Sequence, residues 1–559
     1  MKRKGIRLRA RAASRDQSPR QKLGELNTWD YGFLVQGLER FFRAIMWLAG
    51  SLALGGSLYL MRARPEYAIP FLVITLAGWA CLTLWFVEGR QGIPVLPLFV
   101  VQQMFFYGFP IIFQNPSLEG QTAGVVGSSA WTIVLFLFML SAGWWLGVRF
   151  VRSSPSLWNF HVGDEVSAWR RGLTLALLFL VVSLAFHLAN VSGRIFKILP
   201  AQTFGFIPVI RTFAGAAAAM GAFLGGLVTA GRAWQTGKVV FWILVAGNFF
   251  LSISDILISA ASALVVSCAI GLGLGLRRFP WRFLGVMGLL VAFLNQGKFV
   301  MREKYWDQQS NSKRVGLRGL PTLYTEWTKA SFGLLTSANA DPSQAVNSES
   351  GQSLLERVNG LQNLTFIVDA LKRNEAELLY GSTYTIIPAL LMPRFLWPDK
   401  PRTHVGQVML NLNFGRQQTT EETYRTYIAW GLLPEAVGNF GCVGGACFLG
   451  IFAGLACGLL EAWSARKRLF SVGGLIAGAL LIQIAVSYEM VASVFVTATF
   501  QLLVAVFVGG LFIRWWFAEP SALRLHRPRL RRVVRPTASA ANGARFSRPP
   551  ARSSSQTIR

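Results

Sequence analysis

Residues 126–148 read VGSSAWTIVLFLFMLSAGWWLGV and contain no charged side chain. A helix rises about 1.5 Å per residue, so roughly 20 apolar residues cross the hydrocarbon core of a bilayer, which is about 30 Å thick. Within hydrocarbon the backbone must satisfy its own hydrogen bonds, which a helix does inside a single segment. The stretch therefore predicts a transmembrane helix.

Similar apolar blocks recur along most of the chain. Of 559 residues, 53% are hydrophobic and 14% are charged, whereas a soluble domain carries about 25% charged residues. The blocks predict an all-α polytopic integral membrane protein with about 12 transmembrane helices. The predicted spans are 41–60, 66–87, 93–113, 126–148, 171–190, 205–230, 238–254, 256–276, 281–299, 436–460, 471–488 and 491–515.

The net charge of +29 is concentrated at the chain ends and in the loops between apolar blocks. Residues 1–40 contain ten Lys or Arg, and residues 514–559 contain eleven. Cytoplasmic segments of membrane proteins are rich in these residues, which are attracted to anionic lipid. With twelve spans, the basic loops at 149–171 and 466–468 fall on the same side as both tails. We therefore expect both tails in the cytoplasm, membrane lipids as partners and no nucleic-acid partner.

The uneven spacing of the spans divides the chain into five regions. They are a basic cytoplasmic tail (1–40), a nine-span region (41–299), a large external segment (300–435), a three-span region (436–515) and a second basic cytoplasmic tail (516–559). In the external segment, a Gly-, Ser- and Asn-rich stretch reaching Ser353 is predicted to be flexible. Residues 354–379 predict an amphipathic helix, because apolar residues recur every three or four positions. The Pro-broken apolar run 384–401 is too short to span and predicts a re-entrant or interfacial element.

Metal chemistry has no support in the sequence. The five cysteines lie in or beside apolar blocks, and no pair has metal-ligand spacing. We therefore expect neither a metal site nor a disulfide framework.

The most informative stretch of the external segment is residues 393–401, PRFLWPDKP. Its three prolines restrict the backbone and remove hydrogen-bond donors, which predicts a rigid, irregular segment. Trp397 suits the headgroup level of a membrane, so Arg394 and Lys400 are expected near lipid phosphates. One guanidinium group binds two phosphate oxygens at the same time, whereas an ammonium group attracts phosphate as a point charge.

Further polar residues lie close to the outer membrane face. Arg211, at the outer end of a predicted span, is expected to face a cavity or a partner, since arginine at membrane depth is costly. The residues that predict a cationic, aromatic pocket downstream of the proline-rich stretch are Arg402, His404, Arg416, Arg425 and Glu435.

Three segments of this region carry a family resemblance: GSTY (381–384), PRFLWPDKP (393–401) and PEAVGNFGCVGG (434–445). Together they resemble the Wzy-type polymerases of lipid-linked oligosaccharide repeat units, which include the O-antigen polymerases. A predicted helix beginning at Arg357 and the uneven spacing of the spans add to the resemblance. Outside residues 357–445 the chain is similar to this family only in its layout.

The resemblance implies a metal-independent glycosyltransferase of the inverting type, without a cofactor, at the periplasmic face of the bacterial inner membrane. Growing glycan on undecaprenyl pyrophosphate would be transferred to the next lipid-linked unit, and a partner protein would regulate chain length. The pyrophosphate leaving group gains charge that arginines can stabilise without a metal. A sugar hydroxyl must also lose a proton to a base within hydrogen-bond reach.

By position, the family implies that Arg357, Arg394 and Arg402 bind pyrophosphate, and His404 or Glu435 could accept the proton. We add the other cations of the region, so that the predicted pyrophosphate-binding residues are Arg357, Arg394, Lys400, Arg402, Arg416, Arg425 and Arg211. Structural roles stay open. Arg394 and Lys400 would equally anchor a loop to anionic headgroups, and Glu435 would equally cap a helix, where the dipole favours a carboxylate.

Two other functions remain open. An O-antigen ligase shares the layout but transfers the finished glycan to another acceptor, and in it His404 would be more central. A flippase or transporter would move the lipid-linked unit without reacting it. Charge would then be expected inside the bundle, whereas most of the polar residues here lie in the external segment.

Overall fold

The structure is a computed structural model that describes residues 39–89, 92–151, 165–195, 207–229, 235–276, 279–306, 315–337, 359–392, 396–397, 399–425, 428–468, 471–487 and 489–516. All regular elements in these ranges are helical. In chain order the helices are α1 (Glu39–Ala63), α2 (Pro65–Glu88), α3 (Val95–Ile112), α4 (Ala123–Phe150), α5 (Glu165–Val191), α6 (Ile207–Thr229), α7 (Gln235–Ile253), α8 (Ser262–Leu276), α9 (Trp281–Trp306), α10 (Leu320–Ser337), α11 (Gly360–Lys372), α12 (Ser382–Thr385), α13 (Ile387–Leu391), α14 (Val405–Asn413), α15 (Thr420–Arg425), α16 (Leu432–Ser464), α17 (Val472–Val486) and α18 (Ala492–Trp516).

The helices match the predicted spans closely. In the described ranges, ten helices are long and apolar enough to cross a membrane: α1 to α7, α9, α16 and α18. They coincide with ten of the twelve predicted spans. The remaining two predictions, 256–276 and 471–488, coincide with the shorter apolar helices α8 and α17. The all-α polytopic fold is therefore confirmed.

Helices α4 and α16 pack backbone to backbone along a stripe of glycines, which we call the glycine seam (Gly143, Gly147, Gly450, Gly454 and Gly458). A Cβ atom added to Gly454 would lie 2.1 Å from the carbonyl oxygen of Leu140, and one on Gly458 would lie 2.3 Å from that of Trp144. Small residues permit such close approach between membrane helices. Any larger side chain at these positions would push the two helices apart.

A buried carboxylate joins α16 to two other helices near its C-terminal end. Glu461 is fully buried. It accepts hydrogen bonds from the indole N–H of Trp85 on α2 at 2.9 and 3.0 Å, and from that of Trp144 on α4 at 2.9 Å. Because a buried carboxylate is costly without such donors, this triad ties α2, α4 and α16 together.

Helix α16 is interrupted at Gly441. This residue has φ +75° and ψ 174°, a conformation that side-chain-bearing residues rarely adopt. The break separates a short N-terminal part, 432–440, from the long membrane-crossing part. The short part can therefore run in a different direction from the long part.

A second apolar core lies among α5 to α10. The prediction of a flexible stretch up to Ser353 is wrong for Leu320–Ser337, which forms α10 against α9. Leu323 and Trp327 are fully buried one turn apart, and the Trp327 indole donates to the Leu294 carbonyl at 2.7 Å. Packing of this one face overrides the polar composition of the flanking sequence.

The predicted amphipathic helix 354–379 is shorter than expected. Residues 354–358 lie outside the described residues, and α11 ends at Lys372. Asn374 has φ +56°, a left-handed conformation that commonly terminates helices. The predicted apolar face is confirmed, with Leu361, Leu364 and Val368 fully buried.

The described residues of the Pro-broken run 384–401 contribute to two short helices, α12 and α13. Each has five residues or fewer, which is too short to span a bilayer. The re-entrant or interfacial placement of this run stays a prediction.

Substitution of Gly454 by Leu should disrupt the glycine seam. Overpacking a core costs about 1–3 kcal/mol, and here the obstacle is backbone that cannot rotate away. We expect a lower Tm and less monodisperse protein by size-exclusion chromatography.

The matched control is Gly127→Leu on α4, where no atom lies within 4 Å of the added Cβ. Equal Tm values for the two variants would contradict the packing described for α4 and α16.

Candidate functional site

A layer of short helices covers the end of the bundle at which α4 begins. Helix α11 rests on the first turns of α4, where the Lys372 ammonium donates to the Gly124 carbonyl at 3.0 Å and to Ser128 Oγ at 2.5 Å. Helices α12 to α15 and the start of α16 complete the layer. It is therefore built from the predicted external segment.

Two of the segments that carry the family resemblance contact each other in this layer. The backbone N–H of Leu379 donates to the Gly438 carbonyl at 3.1 Å, and that of Tyr380 donates to the Asn439 carbonyl at 3.0 Å. Gly381 follows with φ +86°, and its N–H donates to Asn439 Oδ1 at 3.0 Å. The segment 379–384 is thus fixed to the short part of α16.

Asn439 organises this contact. Its side chain is fully buried. Besides accepting from Gly381, its amide donates to Thr383 Oγ1 at 2.9 Å and to the Glu435 carbonyl at 2.8 Å. One amide therefore holds the 381–383 turn and the first turns of α16 in a single arrangement.

Glu435 lies one turn before Asn439 and is also fully buried. Its Oε2 accepts the N–H of Ala492 at 2.5 Å, at the N-terminus of α18, where the helix dipole favours a carboxylate. The capping role is therefore present, but for a neighbouring helix. Glu435 Oε1 accepts no hydrogen bond within the described residues, although the Thr383 side chain lies beside the carboxylate.

Tyr384 places a second unsatisfied group in the same cluster. Its ring stacks on Phe440 with 6.0 Å between centroids and 2° between planes. Its hydroxyl is buried and makes no hydrogen bond within the described chain. Burial, and next the Glu435 carboxylate, raise the pKa of the Tyr384 hydroxyl above its ordinary value. The group therefore stays protonated and keeps an unused donor beside an unused carboxylate oxygen, a pattern often associated with a binding function.

His404 lies at the N-terminus of α14, next to this cluster. Its Nδ1 is 2.5 Å from Gln407 Oε1, and Gln407 Nε2 donates to the Ile428 carbonyl at 3.1 Å. An amide oxygen only accepts, so Nδ1 donates the hydrogen bond to Gln407. A Cβ atom on Gly406 would lie 3.6 Å from Thr383 Cβ. The start of α14 therefore borders the Glu435 cluster.

Arg416 lies between aromatic rings in the layer. Its guanidinium is 5.4 Å from the Phe366 ring centre and 5.3 Å from that of Trp430. Arg416 Nη1 donates to Asn363 Oδ1 at 2.5 Å, and Asn363 is held in turn by the Ala429 and Trp430 carbonyls. Burial lowers the pKa of Arg416, but a guanidinium remains charged.

Two further predicted cations differ in their surroundings. Arg402 is exposed, and its guanidinium lies 4.7 Å from the Tyr424 ring centre. Lys400 donates to the carbonyls of Leu390 and Met392 at 2.9 and 2.7 Å. These bonds fold the proline-rich stretch back onto the end of α13, which gives Lys400 a structural role.

Three predicted cations cannot be placed. Arg357 and Arg394 lie outside the described residues, as does the side chain of Arg425, whose backbone belongs to α15. Their pyrophosphate-binding role stays a prediction.

Arg211 lies apart from these cations, in a cavity of about 350 Å³ among the helices. Small and apolar residues of α6, α8, α17 and α18 form most of its walls. Its polar lining includes Arg211, His187 and Gln483. Thr212 Oγ1 donates to Gln501 Oε1 at 3.2 Å across the cavity wall. Gln501 is nine residues along α18 from Ala492, about 14 Å, so the cavity lies on the same half of the bundle as the external layer.

Sequence reasoning did not single out several of these residues. Asn439 and Thr383 lie inside segments that carry the family resemblance. In the structure they stand out because the buried amide of Asn439 bonds Thr383 and the neighbouring positive-φ residue Gly381. Trp430 follows a polar loop and gives no sequence signal for its contact with Arg416. His187 also gives no sequence signal, because its neighbours in the cavity come from helices distant in the sequence.

Substitution of Asn439 by Ala should release the 379–383 turn. The change leaves the Gly381 N–H and Thr383 hydroxyl without their partner, at about 1–3 kcal/mol for a buried group. We expect the amides of residues 379–381 to exchange hydrogen with deuterium at least about tenfold faster, measured by mass spectrometry.

Asn413→Ala is the matched control, since Asn413 makes a single hydrogen bond at the rim of the layer, to the Glu377 carbonyl at 2.8 Å. Unchanged exchange at residues 379–381 in the Asn439 variant would contradict its organising role.

Comparison with known proteins yields no match. No family model, no curated protein and no solved structure matches this chain. The side chains of the site and their geometry therefore carry the functional argument.

Proposed function

We propose that this chain is a polymerase of undecaprenyl-pyrophosphate-linked oligosaccharide repeat units, in O-antigen or other surface or exopolysaccharide biosynthesis. It transfers the growing glycan to the incoming lipid-linked unit as a metal-independent, inverting glycosyltransferase. It lies in the bacterial inner membrane with both termini in the cytoplasm, and the external layer faces the periplasm.

One observation carries the proposal. Residues 381–384 and 434–441, far apart in the sequence and both within segments that carry the family resemblance, form one buried cluster around Asn439. The cluster brings together an unused carboxylate oxygen of Glu435 and an unused hydroxyl of Tyr384. Such groups suit the recognition of sugar hydroxyls.

The cations of the layer suit a pyrophosphate. Arg402 and Arg416 each lie against an aromatic ring, and neither has a carboxylate partner in the described chain. Their charge is therefore available to an anionic ligand. Guanidinium groups can stabilise the charge that develops on a leaving pyrophosphate without a metal ion.

Geometry favours His404 over Glu435 as the base. His404 is half-buried, and the hydrogen bond between its Nδ1 and Gln407 orients the ring at the border of the Glu435 cluster, where a base for a sugar hydroxyl would be needed. Glu435 is fully buried, with one oxygen committed to α18. Its role is to position the cluster unless the layer opens.

A polymerase also needs to hold two lipid-linked molecules at once. The Arg211 cavity provides a second cationic position, with apolar walls suited to a polyprenyl chain and a guanidinium suited to its phosphates. Helix α18 connects the two places, because its first residue bonds Glu435 and Gln501 borders the cavity. Donor and acceptor lipids could therefore approach from opposite sides of α18.

The same cavity is the observation that favours a flippase as the second candidate. Arginine inside a helix bundle is typical of substrate pathways in transporters. A ligase, the third candidate, shares the cluster and the cations and differs only in its acceptor.

Removal of the gene from its host should distinguish these functions. For a polymerase we expect a single repeat unit on the outer acceptor and no long ladder, on gels of surface and lipid-linked glycan. Full-length polymer stranded on its lipid carrier would replace the proposal with a ligase, and single units trapped on the cytoplasmic side would replace it with a flippase.

Substitution of Arg211 by Ala should test the cavity. Losing a charge-assisted hydrogen bond costs about 1.5–3 kcal/mol, so we expect at least about tenfold less polymer at equal protein level, with repeat units still reaching the outer acceptor. Arg194→Ala, an exposed arginine in the turn after α5, should leave the ladder unchanged. Repeat units trapped inside the cell by Arg211→Ala would favour transport through the cavity.

A further inference from the structure

A second cavity, of about 410 Å³, lies toward the end of the bundle opposite the external layer. It is bounded by α1, α2, α3, α8, α9 and α17. Trp85 forms part of its wall and contacts Glu461, which is 26 residues (435 to 461) along α16 from Glu435. The uninterrupted helix between Gly441 and Glu461 alone accounts for about 30 Å of that separation. The cavity is therefore distinct from the candidate functional site.

The walls of this cavity are entirely apolar. Every lining residue is aliphatic, aromatic, Pro, Gly or Met. The lining follows α3 as far as Val101 and α8 from Val266 to Leu274, so the space extends about 10 Å along the helices. Val101 belongs to this lining, and the cavity is partly open to the surface of the bundle.

An apolar space of this size differs from an ordinary packing defect. Protein interiors are close-packed, and few voids exceed a water molecule. Apolar cavities stay dry and take up apolar ligands, and about 300–1,000 Å³ is the usual size of a ligand pocket. In a membrane protein the apolar molecule always available to a lateral opening is the hydrocarbon chain of a lipid.

Aromatic rings and exposed cations stand at the mouth of this cavity. The Phe41 ring stacks on Phe279 with 4.8 Å between centroids. Trp281, 69% exposed, lies beside Phe279 at the level where tryptophan meets headgroups. Arg40 and Arg282 adjoin these aromatic residues, are exposed, and form no ion pair within the described residues.

We propose that this cavity binds an acyl chain of an anionic phospholipid, with the phosphate of the headgroup held by Arg40 and Arg282. Guanidinium groups bind phosphate oxygens well, and a cationic rim above an apolar space selects an anionic lipid over a neutral one. The bound chain packs against the wall to which Trp85 belongs, and the Trp85 indole N–H donates to Glu461. The lipid therefore supports the junction of α2, α4 and α16.

The test uses the purified full-length protein in mild detergent, with phosphatidylglycerol or phosphatidylcholine added. Native mass spectrometry should show one phosphatidylglycerol retained, and Tm should rise with phosphatidylglycerol more than with phosphatidylcholine. Ala269→Leu, which fills the cavity, should abolish retention and the rise. Gly285→Leu adds the same side chain where no atom lies within 4 Å and should bind as the wild type does.

The double variant Arg40→Gln and Arg282→Gln should retain phosphatidylglycerol and phosphatidylcholine equally. Its Tm without added lipid should equal that of the wild type. Equal retention by Ala269→Leu and wild type, or no retained lipid in either, would overturn the proposal. Equal retention of phosphatidylglycerol and phosphatidylcholine by the wild type would overturn the proposed specificity for an anionic lipid. Measuring Tm without added lipid identifies a variant that has lost its fold, and Gly273→Leu then provides a second way to fill the cavity.

Discussion

The close approach of α4 and α16 is the contact on which the rest of the structure depends. At Gly454 and Gly458 the two backbones approach so closely that a methyl group does not fit between them. Because α16 is held there, its ends have fixed positions. One end presents Glu435 and Asn439 to the external layer, and the other presents Glu461 to Trp85 and Trp144.

The polar groups buried along α16 are held in two different ways. Glu461 is held by side-chain donors from α2 and α4, which makes it part of the helix packing. Asn439 accepts from the Gly381 N–H and donates to the Thr383 hydroxyl, both on the 381–383 turn. Its amide also donates to the Glu435 carbonyl, so this side chain joins the turn to the short part of α16. Glu435 stands between these cases, since one oxygen caps α18 and the other is unused. Among these three side chains, Glu435 is the one with an oxygen that accepts no hydrogen bond within the described residues.

The spans could be predicted from sequence because hydrocarbon imposes one rule on every residue that crosses it. Contacts between helices follow no such rule. Helix α10 was missed because its stability depends on Trp327 reaching Leu294, which local composition does not encode. The cluster around Asn439 was suggested by motifs, but its hydrogen bonds join residues about 60 positions apart. For the same reason Arg211 could be predicted to face a cavity but not to lie apart from Arg416.

The break at Gly441 has a consequence for where chemistry can occur. Helix α16 has 33 residues, and the 23 after the break (464 − 441) span about 35 Å, close to the thickness of a bilayer. The length of this part therefore fixes the distance between its two ends at about the thickness of the membrane. The short part before the break is then set at a constant height above the hydrocarbon. In the proposed polymerase, the phosphates of the lipid carrier would also lie at a constant height. A growing sugar chain of any length would then meet the same groups at every addition.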